Sequence, residues 1–377
     1  MVINTLIPKS STKPIVIVHL SPALNVLNSF NLMKNIKTNP GLDDWITITF
    51  NDLSREWQNK VMLVTWAGGV EVFSRFIKPN DDFDMLIKKL KALEPVVIRD
   101  QVIRYQIQPT YRSLTTDYSV SPDIDPGKLL NDVEHFIDFY QNLYELDSTN
   151  SLLIDELHML LNNPHALKQL MIETIVYLWE NFGRDEWENQ QSSLVKTVVA
   201  SREYNLMKYP LEDAMKLIIG RDLTSLLDFE SLKTFNRIRL IPSPHSGPYI
   251  TLFGHSEELN IAFGNRLPSL EVNHLESLDT KTLLNRLKAL ADSTRLNILI
   301  ALTTSNELST QEIMEIFNLN KSAASRHLRN LHASGLIVER RDDMNRAKFY
   351  SLNHQTFGAL GTAFLRFATV NDKNLNF

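Results

Sequence analysis

Residues 310–331 constrain this chain more than any other stretch. They read Thr310-Gln311-Glu312-Ile313-Met314-Glu315-Ile316-Phe317, then a polar Asn318-Leu319-Asn320, then a second run of helical spacing from Lys321 to Leu331. Two short amphipathic helices joined by so brief a turn form a helix-turn-helix, whose second helix suits a DNA groove. At 100° per residue, Ala324, Leu328 and Leu331 share one face of that helix. Ser322, Arg326 and Arg329 lie roughly opposite, with Lys321 at the start and Ser325 on the flank. One face packs, and the other carries donors for phosphates and base edges. His327 sits on the edge of the packed face, where a buried structural hydrogen bond and a phosphate contact both fit.

The flanks complete a module. Leu283, Leu287 and Leu290 form the apolar face of a first helix, and Asp292 is placed to cap a second at 293–303. Leu296, Leu299 and Ile300 are expected to face inward there, as are Ile313, Ile316 and Phe317 in the third helix. Gly335 is expected in the left-handed conformation that ends the fourth helix, with Leu336 making the closing apolar contact. Residues 336–340 and 347–352 then read as two strands around the polar turn 341–346. That hairpin is a wing, with Arg340, Arg341, Arg346 and Lys348 expected at backbone phosphates. A last helix carries Phe357, Leu360, Phe364 and Phe367 along one side. An isolated module would leave them in water, so they pack with the Leu283 helix, across a dimer interface or against the rest of the chain.

The net charge of −5 argues mildly against nucleic acid until it is divided. Residues 281–370 hold 12 Lys+Arg against 7 Asp+Glu, residues 371–377 are neutral, and residues 1–280 hold 26 basic against 36 acidic side chains. A module of +5 thus sits on a partner segment of −10, the pattern of a DNA-facing end on an acidic domain.

The first 270 residues read as mixed and helix-rich. Ile15-Val16-Ile17-Val18-His19-Leu20 is β-branched and predicts a buried strand, with a helix following through Leu24, Leu27 and Phe30. Helical spacing recurs at 81–93, 129–144, 152–161, 167–182, 194–204 and 211–219, with Asn163-Pro164, Gly183 and Pro210 as breaks. Residues 121–127 form a loop. Around Phe235 the period shortens to that of strands, and 237–241, 249–253 and 259–263 predict a small three-stranded sheet around a Pro242–Pro248 loop. Residues 264–279 read as the linker.

The motifs Leu290-Ala291-Asp292-Ser293-Thr294-Arg295-Leu296, Ala324-Ser325-Arg326-His327-Leu328, Leu331-His332-Ala333-Ser334-Gly335-Leu336 and Lys348-Phe349-Tyr350 resemble the ArsR (SmtB-like) family of winged-helix repressors, over residues 281–368. The resemblance implies a dimer that places residues 321–330 in successive major grooves and releases DNA on a signal. Family metal sensors use Cys pairs in the third helix, or His and acidic ligands in the last. Here the third helix has Ile313-Met314-Glu315-Ile316 and the last only His354, so a non-metal signal is expected. Residues 1–270 resemble the large domain of unknown function that precedes such winged helices in some bacterial regulators, through 163–179, Glu186-Trp187 and 241–249.

Within that domain His245 marks either an effector pocket or a rigid turn, and Trp179 and Trp187 either stack on an effector or fill the core. Tyr249 completes the candidate pocket. There are no cysteines, which removes thiolate metal sites and cysteine nucleophiles. His245, His255 and His274 have no zinc spacing, and no phosphate-binding glycine loop or nucleophile elbow is present. No apolar run reaches the roughly 18 residues of a membrane helix. The 15–20 run is too short for a secretory signal, so a cytoplasmic protein is expected.

The sequence therefore predicts a mainly helical α+β protein: a helix-rich domain with a small antiparallel sheet at 1–270, for effector binding or dimerisation, and a winged helix-turn-helix at 281–368. The expected function is a dimeric, sequence-specific bacterial transcription regulator of the repressor type, not an enzyme, with double-stranded DNA and an unknown small molecule as partners and no cofactor. Two alternatives remain: a small-molecule binder or enzyme with an appended regulatory winged helix, and a winged helix used for protein contacts.

Overall fold

The structure, a computed structural model, describes residues 13–36, 39, 42–78, 81–107, 125–144, 151–220, 223–224, 226–255, 257–265, 280–305, 307–341 and 347–369. Most of residues 1–268 forms one compact unit, and residues 269–377 form the body of a second.

In the first unit β1 (Ile15–Val18) leads into α1 (Pro22–Leu32), which opens on Pro22, where the missing N–H costs nothing. α2 (Asp44–Asp52) and α3 (Arg55–Trp66) are capped by Asp43 and Ser54, whose side chains accept from Trp45 N–H and Trp57 N–H. Gly68 and Gly69 turn the chain with φ of 108° and 46° into α4 (Gly69–Phe73). α5 (Phe83–Ala92), α6 (Pro95–Ile107), α7 (Pro126–Asn131), α8 (Val133–Tyr144) and α9 (Ser151–Asn162) follow. The helix expected at 81–93 is α5, and Pro95 begins the next.

α10 (Pro164–Leu178) starts at the Asn163 cap. The break expected at Gly183 is absent: the chain widens into a single π turn (Trp179–Gly183) and runs on as α11 (Arg184–Ser201). A side chain at Gly183 would put its Cβ 2.8 Å from Phe30 Cζ. Glycine here therefore serves close packing against α1, which sequence spacing alone does not reveal. α12 (Leu211–Ile219) and α13 (Phe229–Leu232) complete the helices of this unit.

The three strands expected at 237–263 are present as β2 (Arg237–Ser243), β3 (Ile250–His255) and β4 (Glu258–Gly264), but the sheet has four strands and is mixed. In the order β1-β2-β4-β3, β1 and β4 both run parallel to β2, and only β3 and β4 are antiparallel. The reason lies in β2, whose residues 238–243 are all buried. A strand covered on both faces suits parallel neighbours better than a half-solvated hairpin does. Even Arg239, an outward position in a period-2 reading, is buried and pairs with Glu258 at 2.8 Å. Ile238, Leu240, Ile261 and Phe263 pack with Ala214, Met215 and Ile218 of α12 into the core of this region.

The second unit runs α14 (Thr280–Leu290), α15 (Ser293–Ser305), β5 (Leu308–Ser309), α16 (Thr310–Phe317), α17 (Lys321–Ala333), β6 (Ile337–Arg341), β7 (Lys348–Leu352) and α18 (His354–Thr369). Its strands make an antiparallel sheet of order β5-β7-β6. This is a winged helix-turn-helix. Ile298, Leu299, Leu302, Ile313, Leu328, Leu331, Leu336 and Ile337 fill its core, at about 1.5–3 kcal/mol for each side chain fully withdrawn from water.

Two expectations about which residues face inward need correcting. Leu296 and Ile300 are exposed, and the inner face of α15 is instead Arg295, Ile298, Leu299 and Leu302. Ile316 is likewise exposed, leaving Ile313 as the buried residue of α16. Both stripes of α15 have helical spacing, and what selects between them is the bonding of Arg295. In α18, Leu360 is buried, Phe357 is half-buried and Phe364 is exposed, while the side chain of Phe367 lies outside the described residues.

Candidate nucleic-acid interface

Helix α17 is held at both ends by its own sequence. Asn320 accepts from Ala323 N–H at 2.8 Å, so one of the first free N–H groups has a partner. At the other end Gly335 takes φ of 74°. Its N–H donates to His332 O, and Leu336 N–H donates to Leu331 O, both at 2.9 Å, which is the Schellman closure with Leu336 buried beneath. The preceding helix has a reciprocal cap: Ser309 Oγ accepts from Glu312 N–H, and Glu312 accepts from Ser309 N–H at 2.8 Å. The Ser309 N–H, and after it the Ser309 hydroxyl, which also donates to the carboxylate at 2.8 Å, hold the Glu312 carboxyl below its ordinary pKa. Asn318, at φ 49°, makes the sharp turn between the two helices.

Positions on α17 follow from this. Lys321, Ser322, Arg326 and Arg329 are exposed, Ser325 is half-buried, and Ala324, Leu328 and Leu331 are buried. The i, i+4, i+7 series Ser322, Arg326, Arg329 is therefore a single outward row on the helix. His327 is buried, with Nδ1 3.7 Å from Asp292 Oδ1. Burial lowers its pKa, and the Arg326 and Arg295 charges lower it further, against an opposing pull from the Asp292 carboxylate. It is thus a neutral interior group near pH 7.

Asp292 is the N-cap that spacing predicted, accepting from Arg295 N–H at 2.8 Å. Burial raises its pKa, but hydrogen bonds from the Arg295 and Thr294 N–H groups and the Arg295 charge outweigh that and hold it below the ordinary aspartate value. Arg295, which sequence reasoning did not single out, is a structural centre. Its Nε donates to Ala289 O at 2.6 Å and its Nη2 to Lys288 O at 2.9 Å, closing the C-terminus of α14.

The wing is less free than its charge count implies. Arg340 forms a two-pronged pair with Glu307, Nε to Oε1 and Nη2 to Oε2 at 2.9 Å each, and its guanidinium lies 4.9 Å from the centre of the Phe349 ring. The bond from Arg340 holds the Glu307 carboxyl below its usual range. Lys348 lies 3.3 Å from Glu339, and burial of its stem pulls its pKa down to about 8. Arg341 is in β6 with its side chain outside the described residues, as is all of Arg346.

In the first unit, Trp187 and His245 meet at one cleft. Trp179 does not join them; it is buried, stacked on Phe83 at 4.7 Å with the Arg184 guanidinium 5.3 Å from its ring centre. Tyr249 is also buried in the structure around the 242–248 loop, its N–H donating to Ser246 O. Sequence reasoning missed Ser29 and Glu186, which flank His245 in space. They lie 216 and 59 residues from it in the chain. Among the described residues, no three His, Cys, Asp or Glu side chains gather as a metal site, and no helix is long and apolar enough to cross a membrane.

No curated protein matches the chain. Residues 292–338 match the family model described as bacterial regulatory protein, arsR family. That span runs from the Asp292 cap through α15, α16 and α17 into the start of β6, and leaves out α14, β7 and α18. Fold, caps and family model agree over that span: residues 292–338 form a winged-helix segment similar to that of the arsR family of bacterial regulatory proteins.

Proposed function

We propose that this chain is a dimeric transcriptional repressor which reads a specific operator through α17 and is switched by a non-metal signal received in residues 1–270. The observation that carries the proposal is the outward row Ser322, Arg326, Arg329 on a helix capped at both ends and packed on its other side. A rigid helix with a donor face is what major-groove readout requires. Lys321 and Ser325 border that row, and Arg340, Arg341, Arg346 and Lys348 supply phosphate contacts, Arg340 and Lys348 by exchanging Glu307 and Glu339 for the duplex. His327 supports the helix from inside. Leu284 and Phe364, exposed on the first and last helices of the unit, are the surface assigned to the dimer partner.

The test is duplex selection with the full-length protein, followed by fluorescence anisotropy on the selected site across a range of salt. Arg326→Ala should lose about 1–3 kcal/mol on that site and relax preference at one base position. Arg346→Ala should weaken selected and random duplexes alike and flatten the salt dependence. If no sequence is enriched, or if both variants lose specificity equally, the assignment of base reader and phosphate anchor is wrong.

A further inference from the structure

α1 is an unusual helix for the middle of a protein. Of its eleven residues ten are buried, and four of those are Asn25, Asn28, Ser29 and Asn31. Buried amides are costly unless each finds a partner, at about 1–3 kcal/mol for each unsatisfied group. Asn28 has partners: its Nδ2 lies 3.1 Å from Ser243 Oγ and 3.2 Å from Ser246 Oγ, pinning the 242–248 loop to α1. Asn31 packs at the Gly69 turn, where a Cβ on Gly69 would meet its Oδ1. Asn28 and Asn31 leave Oδ1 without a hydrogen-bond partner, whereas Asn25, 2% exposed, has none at either Oδ1 or Nδ2.

Asn25 borders the cleft that also holds Ser29, His245 and Glu186. Ser29 Oγ is 2.7 Å from His245 Nδ1 and donates to Asn25 O at 3.1 Å, while His245 Nε2 and Glu186 Oε1 are 2.9 Å apart. Trp45 stacks on the His245 ring at 4.5 Å, and Asp43 N–H donates to His245 O. The imidazole is thus fixed at both nitrogens and on one face. Glu186 and Trp187 reach the cleft because the π turn ending at Gly183 offsets the start of α11, and such turns recur at functional sites.

A serine, a histidine and a carboxylate in a row invite comparison with acyl-transfer chemistry, but Ser29 lies inside a helix. The backbone N–H groups beside it are held in the helical ladder, which leaves none to stabilise an oxyanion. The cluster is better built to hold a molecule than to attack one.

We propose that this cleft is a ligand site for a compact, uncharged molecule with a carboxamide or lactam head and an apolar body. The unpaired carboxamide of Asn25 offers one donor and one acceptor side by side, and an amide head answers both at once. Among the described residues its walls include no Lys or Arg to receive an anion, and the Glu186 carboxylate is engaged by His245 and Gln190. Val26, Phe30 and Trp187 are among its lining residues, which suits an apolar body. Size limits the ligand: the inner space is about 20 Å³, and the cleft is about 280 Å³ with its mouth counted. The recess admits about one water-sized group, so only the tip of the amide head enters it while the body lies outside against Trp187.

This names the signal class for the domain read above as the receiver, and it rests on that reading only for the link to DNA release. Binding itself is measured without DNA, so the two ideas fail separately. The probe is benzamide, titrated into the full-length protein and followed by intrinsic tryptophan fluorescence and calorimetry, with benzoate and benzylammonium as charged isosteres. Saturable benzamide binding, at least tenfold tighter than that of either isostere, is expected. Asn25→Leu should weaken it tenfold or more while leaving the ligand-free protein as stable as wild type or more so, since an unsatisfied amide has been replaced by apolar bulk. Trp187→Ala, at the mouth, should weaken it too and guards against misfolding of the first variant. Equal binding of benzoate, no saturation by benzamide, or full binding in both variants would overturn the proposal.

Discussion

Burial keeps His327 neutral in the folded protein and so ties the stability of the winged helix to pH. An unfolded histidine takes up its proton near pH 6.5, whereas the folded one, its pKa lowered by burial first and by Arg326 and Arg295 next, takes it up only at lower pH. Between those values the unfolded chain binds more protons, so stability is lost as pH falls below about 6.5. Urea unfolding followed by circular dichroism at pH 7.5 and pH 5.5 should show this loss in the wild type and a smaller one in His327→Gln; superimposable losses would mean that His327 does not titrate with folding. Side chains whose placement depends only on local helical geometry were legible in the sequence, as with Ser322, Arg326 and Arg329 opposite Ala324 and Leu328. Arg295 was not, because the stripe it heads and the Leu296–Ile300 stripe are equally periodic, and only backbone carbonyls of the preceding helix decide between them. Ser29 and Glu186 were beyond reach for a different reason: nothing in either local pattern points to a histidine in a distant loop.

Elements end where their chemistry says, and the clearest case is Gly335. Its φ of 74° is strained for any residue with a Cβ, yet the space a Cβ would enter is open, with only Thr356 Oγ1 at 3.7 Å. The cost of Gly335→Ala is therefore almost wholly backbone conformation, about 1–2 kcal/mol, and should appear as a lower urea midpoint with an unchanged slope. A variant as stable as wild type would show that the helix end does not need the left-handed residue. The Asp292 cap was readable for the same reason: it satisfies a backbone group within a few residues. Strand partnership was not. β1 is visible as an apolar run, but its parallel place beside β2 brings together residues more than 200 positions apart, and loop-closure entropy leaves no trace in local spacing. The π turn escaped notice because Gly183 reads as a break, when its purpose is to admit the Phe30 ring.

At the scale of the molecule, the core on the mixed sheet with α12 and the core inside the winged helix share no residue among those described. Leu331→Ala removes a fully buried side chain from the second and should cost about 2–5 kcal/mol there, while Ile238→Ala should do the same to the first. Scanning calorimetry should then show each substitution lowering a different transition; a single transition lowered by both would mean that the units unfold as one. Charge is divided along the same line, with the basic excess confined to the winged-helix segment.

The pairing of Arg340 with Glu307 and of Lys348 with Glu339 changes what that excess means. A phosphate that takes either cation displaces a carboxylate of the protein instead of one small ion from solution, so fewer ions are set free than cations engaged. The wing thus carries its own bound counter-ions, and the protein's grip on DNA should tolerate swings in ionic strength better than its count of lysines and arginines implies.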